Sequence, residues 1–211
     1  MSLAYPVSRL QNNLKIVSHT LQGRESVALG LFVQVGARYE NRRVSGISHF
    51  IEHLIFKGSR KRNARAIKEE IEGRGGILNG FTSEDSTCFM VKIVKDHFER
   101  SLDILSDMLL HAKMSKTDTE RERAVILEEI KMYLDMPMHY AHDLINHLMW
   151  QDHPLGMLIS GDYESVSRIT HEDILTFYRK HYVPNNIFIA VCGDVEHDRV
   201  VSKASRYFGP V

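Results

Sequence analysis

The stretch Ser45-Gly-Ile-Ser-His-Phe-Ile-Glu-His-Leu-Ile-Phe-Lys-Gly58 predicts a helix that carries a metal site. Its first and last residues are typical of the start and the end of a helix, and the segment between them is about three turns long. His49 and His53 are four residues apart, so both side chains lie on one helix face, one turn from each other. Glu52 shares that face.

The spacing of these three side chains points to a specific chemistry. Two imidazoles one turn apart can hold one zinc ion, and a carboxylate beside them can act as a general base toward a zinc-bound water. The order H-x-x-E-H is the inverzincin pattern, the reverse of H-E-x-x-H. A five-residue match also arises by chance on an ordinary helix, because 12 histidines are scattered along the chain. A third ligand therefore has to decide between the two interpretations.

A second predicted helix, over residues 119–133, offers candidates for that ligand. Catalytic zinc sites use three protein ligands and keep a fourth position open. Glu122 and Glu129 are seven residues apart and lie on one face, whereas Glu128 is rotated by about 100° from Glu129. One carboxylate can bind the metal while another supports the ligands from behind. The candidates on this helix are Glu120, Glu122, Glu128 and Glu129.

The spacing and six segments in order carry a family resemblance. Glu129 follows His53 by 76 residues, and the M16 metallopeptidases have H-x-x-E-H followed by a Glu roughly 75 residues farther on. The chain resembles this family, which includes pitrilysin, insulin-degrading enzyme and mitochondrial processing peptidase, and is most similar to its short bacterial members. The resembling segments are Val35-Gly-Ala-Arg-Tyr-Glu40, residues 45–57, Gly75-Gly-Ile-Leu-Asn-Gly-Phe-Thr82, residues 120–130, residues 152–156 and His181-Tyr-Val-Pro-Asn-Asn186.

The resemblance assigns the roles at the site. It implies that His49, His53 and Glu129 bind one zinc ion per chain, that Glu52 is the general base, and that Glu122 supports the ligands without touching the metal. Two imidazoles and one carboxylate suit zinc better than magnesium or calcium, both of which prefer oxygen ligands.

A predicted hairpin follows, with strands at 77–83 and 86–94 and a turn at Glu84-Asp85. In the family, the corresponding Asn-x-x-Thr stretch is an edge strand to which an extended peptide substrate adds as a further strand. The resemblance therefore assigns substrate binding to this stretch. A plain edge strand with a glycine bulge would explain the same residues without a ligand. The residues concerned are Asn79, Gly80, Phe81 and Thr82.

The remaining pattern predicts an α+β fold, a mixed, mostly antiparallel sheet covered by helices, which is the arrangement of the M16 metallopeptidase and LuxS-like domains. We read residues 1–211 as a single domain, corresponding to the N-terminal catalytic domain of the family, with the second domain outside this chain. Further strands are predicted at 13–19, 27–35 and 186–193. Further helices are predicted at 63–72, 96–111, 138–150, 170–181 and 196–208.

Composition limits the partners and the compartment. Lys and Arg number 27, as do Asp and Glu, so nothing favours a nucleic-acid or membrane-surface partner. Cys88 and Cys192 lie in apolar runs and are expected to be reduced core residues of a cytosolic protein. We see no transmembrane run and no leader pattern, so we expect the bacterial cytoplasm ahead of the mitochondrial matrix.

The resemblance implies a zinc-dependent endopeptidase that acts on unstructured peptides or presequences. The family draws an Arg-Tyr pair from its second half, and no residue here can be assigned to it. The chain is therefore expected to need a second domain, a partner subunit or a second copy. The alternatives are a non-catalytic zinc-binding or structural subunit of an M16 assembly, and a different zinc hydrolase such as an amidase. His139 and His142 lack a convincing third ligand for a second metal and are expected on a solvated face.

Overall fold

A six-stranded sheet forms the centre of the protein. The computed structural model describes residues 5–151 and 153–211. The expectation about the start of the chain at 1–4 therefore lies outside the described residues, as does Asp152 of the segment 152–156. Only one neighbouring pair of strands is parallel, so the sheet is mixed and mostly antiparallel, as predicted. In sheet order the strands are β1 (Val7–Arg9), β2 (Lys15–Thr20), β6 (Ile187–Gly193), β3 (Ser26–Val33), β5 (Thr87–Val94) and β4 (Ile77–Thr82).

The two faces of the sheet are packed differently. Leu29 and Leu31 of β3 are fully buried on the face that the helices cover. On the other face, Phe32 is half-buried and stacks on Phe188 with ring centroids 4.6 Å apart. Alternate residues of a strand point to opposite faces. Cys192 is four residues from Phe188 on β6 and therefore lies on the same face as Phe188. The prediction that Cys192 is a core residue is therefore wrong, since it is exposed, whereas Cys88 is buried as predicted.

The helices that the structure describes pack mainly on the sheet's buried face. The α1 helix (Ile47–Ile55) lies against β4 and β5, α3 (Phe98–Leu110) against β5 and β3, and α8 (His197–Phe208) against β2. No helix in the described ranges is long and apolar enough to cross a membrane. The helices are α1 (Ile47–Ile55), α2 (Ala64–Ile71), α3 (Phe98–Leu110), α4 (Lys116–Leu134), α5 (Pro137–Met149), α6 (Tyr163–Arg168), α7 (His171–His181) and α8 (His197–Phe208).

Several element boundaries differ from the prediction by a few residues, and two of the shifted helix starts have a clear local reason. The α4 helix begins three residues early because the Ser115 side chain accepts a hydrogen bond from the Asp118 N–H and caps it. The α5 helix begins at Pro137, because the backbone N–H that proline lacks would have no partner within the helix at the first position. The β1 strand and the α6 helix were not predicted at all. The α6 helix is fixed by a reciprocal cap between Asp162 and Ser165.

Candidate metal centre

The α1 helix presents a polar face to a cleft because its other side is anchored in the core. Its apolar residues are buried, so the helix cannot rotate about its axis. His49, Glu52 and His53 then point together toward α4 and β4. The buried anchors are Ile47, Phe50, Ile51, Leu54 and Ile55.

Three side chains converge at the cleft floor. The Nε2 atoms of His49 and His53 are 3.2 Å apart. One Glu129 oxygen lies 3.9 Å from Nε2 of His49, and the other lies 3.5 Å from Nε2 of His53. Among the described residues, His49, His53 and Glu129 form the one group of His, Cys, Asp or Glu side chains whose donor atoms could hold a metal ion.

These distances fit a zinc ion. In a tetrahedral site with zinc–ligand bonds of about 2.0–2.1 Å, two ligand atoms are roughly 3.3 Å apart. The observed separations of 3.2, 3.5 and 3.9 Å bracket that value. Without a cation, two buried imidazole nitrogens that face each other share at most one proton. The residues present therefore fit zinc on their geometry and on their donor chemistry.

One carboxylate behind the ligands, that of Glu122, is arranged as a metal-binding histidine requires. The Nδ1 atom of His53 lies 3.2 Å from one oxygen of buried Glu122, and the other oxygen accepts from Nζ of Lys57 at 2.7 Å. A histidine that donates from Nδ1 to a carboxylate keeps its Nε2 lone pair free for a metal. The structure thus brings Glu122 to the supporting position that the sequence predicts. The exposed Glu128 instead pairs with Lys131.

The charge states of His49 and Glu129 favour metal binding, whereas the raised pKa of His53 means that a metal has to displace a proton there. Burial and the neighbouring His53 lower the pKa of His49 to about 4, so its imidazole is neutral at pH 7. A hydrogen bond from His53 holds the pKa of Glu129 below its usual range. Burial acts to lower the pKa of His53, but hydrogen bonds with Glu129 and Glu122 outweigh it and the pKa is raised. A neutral imidazole and an ionised carboxylate are the forms that bind metals.

Glu52 lies beside the three ligands without joining them. Its Oε2 accepts a hydrogen bond from the Thr82 hydroxyl at 2.6 Å. Burial raises the pKa of Glu52, even though the Thr82 hydroxyl favours the charged form. A Cβ atom on Gly80 would lie 3.1 Å from Oε1 of Glu52 and 2.8 Å from the Phe56 ring. The absence of a side chain at Gly80 therefore leaves room for the carboxylate.

The β4 strand forms the open edge of the sheet beside this site. It pairs with β5 alone in the strand order, and Ser83 and Ser86 close the predicted turn through a 2.8 Å backbone hydrogen bond. Thr82 and Gly80 face α1, whereas Phe81 is 44% exposed on the alternate side. The Asn79 Oδ1 accepts from the Gly80 N–H at 2.9 Å. Of the four residues predicted to bind substrate, Gly80, Phe81 and Thr82 line the cleft, and Asn79 directly precedes them on β4.

The cleft has a volume of about 400 Å³ and includes residues that sequence reasoning missed. Tyr133 and Asp143 line it, as does His139, whose ring meets the Tyr133 ring at 5.8 Å between centroids. His139 is exposed to solvent, as predicted, and also lies at the wall of the cleft. His142 lies beside Asn146 and joins no group of metal ligands within the described residues. Tyr133 follows Glu129 by one helical turn, a spacing that could have identified it.

Comparison with known families decides the relationship. The family described as "Insulinase (Peptidase family M16)" matches residues 15–162, and the description "Peptidase M16 inactive domain" matches residues 168–211. The chain belongs to peptidase family M16. The resemblance drawn from the motif and its spacing is confirmed.

Relatives of this M16 chain include enzymes from bacteria and mitochondria. An uncharacterised zinc protease of Streptomyces coelicolor is 37% identical over 199 residues, which cover 94% of this chain and 43% of the relative. The mitochondrial-processing peptidase subunit beta of Saccharomyces cerevisiae is 34% identical over 204 residues, or 97% of this chain and 44% of the relative. The chain thus spans about half the length of the curated relatives it matches.

Solved structures share the fold. A protease from Helicobacter pylori superposes with a TM-score of 0.93 at 26% identity, covering 97% of this chain and 50% of that one. Pitrilysin superposes with a TM-score of 0.87 at 22% identity, covering 99% of this chain and 23% of that one. The pitrilysin likeness concerns the fold alone. The predicted α+β fold class of this M16 domain is confirmed.

Proposed function

We propose that this chain is the zinc-binding half of a metalloendopeptidase that cleaves extended, unstructured peptides. The observation that carries the proposal is the convergence of His49, His53 and Glu129 in one cleft, with Glu52 beside them. The names of the relatives as zinc proteases support it. In this proposal His49, His53 and Glu129 hold one zinc ion, which when bound acidifies a water and polarises the scissile carbonyl.

Glu52 is the general base in this proposal. It takes the proton of the attacking water and returns it to the leaving amine, so that it ends each cycle ionised. The raised pKa of its buried carboxyl supports both steps, because a base whose pKa lies closer to neutrality is also a competent acid. The Thr82 hydroxyl fixes the orientation of the carboxylate.

The substrate binds in this proposal as an added strand along β4. An edge strand offers unpaired backbone groups, so affinity comes from backbone hydrogen bonds and makes little demand on sequence. Asn79 already holds the Gly80 N–H with its side-chain oxygen, and a substrate carbonyl can replace that oxygen. The Thr82 side chain at the end of β4 hydrogen-bonds to Glu52. A peptide strand bound along β4 therefore passes beside the general base.

A second domain or a partner subunit completes the chamber in this proposal. The chain spans about half the length of the curated relatives it matches. The α5 helix beside the cleft has no buried residue, and its large apolar side chains are exposed. A surface of this kind is typical of one that other protein mass or a substrate covers. The exposed side chains include Met138, Tyr140, Leu144, Ile145, Leu148 and Met149.

Hydrolysis of a quenched, unstructured peptide tests the proposal. The wild-type chain is compared with Glu52→Gln and with the control Glu128→Gln, whose exposed carboxylate faces away from the ligands, and zinc content is measured on all three. Each protein is assayed alone and with the other half of the protein supplied. We expect zinc in all three proteins and a loss of at least 10²-fold in hydrolysis for Glu52→Gln only.

Two results would contradict the proposal. If Glu52→Gln retained hydrolysis, Glu52 could not be the general base. Zinc in all proteins without hydrolysis under either condition would favour the alternative, a non-catalytic zinc-binding subunit of an M16 assembly.

A further inference from the structure

The α1 helix begins without a capping side chain of its own. Its N-cap position is Gly46, which has a φ of +88° and makes no side-chain cap. A Cβ atom there would lie 2.4 Å from the carbonyl oxygen of Ser160, so the residue types that normally cap a helix do not fit. The first N–H groups of a helix have no partner within it. These buried donors therefore need an acceptor from another part of the chain, and Ser45, which the sequence suggested as the start, does not supply it.

Glu40 is that acceptor. Its Oε2 accepts from the Gly46 N–H at 2.7 Å, and its Oε1 accepts from the Ser48 N–H at 2.8 Å. The residue is 5% exposed, so no solvent competes for these bonds. Each oxygen holds one donor of the first turn, which fixes both the height and the rotation of the helix end. A carboxylate is also the group that the positive end of a helix favours.

The backbone around Glu40 is fixed in turn to the substrate-side hairpin. The Glu40 N–H closes a 3₁₀ turn by donating to the Ala37 carbonyl at 3.1 Å. The N–H groups of Ala37 and Arg38 donate to the carbonyls of Ser83 and Glu84, at 3.2 and 2.9 Å. That turn follows directly on β4. Glu40 is therefore a link between the start of the metal helix and the end of the edge strand.

The side chains of His49 and His53 are held in different ways, and this difference indicates that Glu40 affects His49. His53 is held from behind by Glu122. His49 is the third residue of α1, and its buried Nδ1 has no hydrogen-bond partner among the described residues. Metal-binding histidines are normally oriented by a bond to the other ring nitrogen. In its absence, the position of the His49 ring depends on the backbone of the first helical turn, which Glu40 holds at the adjacent Ser48.

We propose that Glu40 is a positioning residue of the metal centre, which sets the His49 imidazole relative to His53, Glu129 and β4 by fixing the first turn of α1. The inference rests on the proposed zinc site. Loss of Glu40 releases two buried N–H donors and lets the first turn shift, so the three ligands no longer match one tetrahedron. A group that supports a ligand in this way typically changes metal affinity by 10–100-fold.

The test measures zinc affinity and ligand geometry directly. Zinc dissociation constants are determined at pH 8 by competition with a chromophoric chelator for the wild-type chain, Glu40→Ala and Glu40→Gln. The visible spectrum of the Co²⁺ form reports the coordination geometry. Asn63→Ala is the matched control, because it removes the N-cap of α2, whose side chain accepts from the Ala66 N–H at 2.8 Å, away from the site. His49→Ala is the reference for a lost ligand.

We expect the zinc dissociation constant to rise about tenfold or more in Glu40→Ala, with an altered Co²⁺ spectrum, and to rise less in Glu40→Gln, which keeps one acceptor oxygen. Asn63→Ala should lose stability with an unchanged spectrum and affinity. Where Glu40→Ala does not fold, Glu40→Gln carries the test. Wild-type affinity within twofold in both Glu40 variants would overturn this inference alone. A wild-type chain that binds no zinc would overturn both this inference and the proposed function.

Discussion

Carboxyl groups of one residue type do different work in this cleft because their surroundings differ. Glu129 faces His53, which holds its pKa down and keeps it ionised as a ligand. Glu122 is buried between Lys57 and His53 and orients the latter. Burial raises the pKa of Glu52, and the Thr82 hydroxyl and His53 offset this only in part. Glu40 is buried against two backbone donors. These surroundings suit the carboxyl groups to the roles proposed for them, which are a metal ligand, a support for His53, a general base and a helix cap.

The cap residue gives a pH prediction. Burial raises the pKa of Glu40 to about 7, while its hydrogen bonds to Ser48 and Gly46 act in the opposite direction. Because the folded pKa exceeds the unfolded value of 4.5, the folded chain binds the proton more tightly. The associated stability is fully present below pH 4.5 and is lost as pH rises through 7. The free energy of unfolding should therefore fall between pH 5 and pH 8 by on the order of 2–3 kcal/mol more in wild type than in Glu40→Gln.

Urea unfolding of both proteins across this pH range checks the prediction. Other titrating groups, including the 12 histidines, cancel in the difference between the two proteins. A difference that stays constant from pH 5 to pH 8 would contradict the raised pKa of Glu40. A difference that grows in the opposite direction would show that the two backbone donors outweigh burial.

At the scale of elements, the strongly patterned segments could be predicted and the short ones could not. The α1 helix, the β4–β5 hairpin and the central β3 strand have clear periodicity, and the structure places them where the sequence does. The three-residue β1 strand is too short to show a period, and α6 has only six residues. The β1 strand is defined by its pairing with β2, and α6 by its contacts with α4 together with its own cap.

The residues of the candidate metal centre were easier to predict than the contacts that hold the start of α1 in place. The spacing of His49, His53 and Glu129 follows from helix geometry and the family pattern, and the structure brings the three together. The role of Glu40 was invisible in the sequence, because its carboxylate reaches α1 across a 3₁₀ turn from six residues before the N-cap. The sequence suggested Ser45 instead, since serine is a common cap, and the contact of Gly46 with Ser160 could not be foreseen.

That close contact gives a prediction for α1 as an element. Gly46 and Gly23 both have positive φ, +88° and +75°, but a Cβ atom on Gly46 meets the Ser160 backbone at 2.4 Å, whereas Gly23 has nothing within 4 Å. Gly23→Ala should cost about 1–2 kcal/mol for the backbone conformation alone. Gly46→Ala adds overpacking of about 1–3 kcal/mol and should also weaken zinc binding.

Unfolding by urea and zinc titration of the two variants measure these effects. The comparison separates backbone strain, which both glycines share, from the clash that only Gly46 has. Equal losses of stability in Gly23→Ala and Gly46→Ala would mean that the close packing of α1 on the 158–161 segment does not hold the helix start. Unchanged zinc affinity in Gly46→Ala would separate that packing from the metal centre.

At the scale of the whole molecule, this M16 chain forms a cleft between a helix and a sheet edge, in which three side chains could hold a metal ion. The three residues that could hold a metal ion come from α1 and α4, which lie far apart in the sequence and meet because α4 packs on α1. The α1 helix in turn packs on β4. The open sheet edge and the uncovered α5 face lie on the same side of the domain as the cleft. The chain also spans only about half the length of the curated relatives it matches. These features support the proposal that protein outside this chain completes the substrate chamber.

The central claim is that three side chains hold one zinc ion in this chain, and zinc stoichiometry tests it most directly. Purified wild-type chain, His53→Ala and Glu129→Gln are loaded with zinc, passed over a desalting column and analysed for metal, with Glu128→Gln as the exposed control. The account predicts one zinc ion per chain in wild type and in Glu128→Gln, and loss of most of the metal in the two ligand variants. Equal zinc in His53→Ala and wild type, or none in wild type, would contradict it.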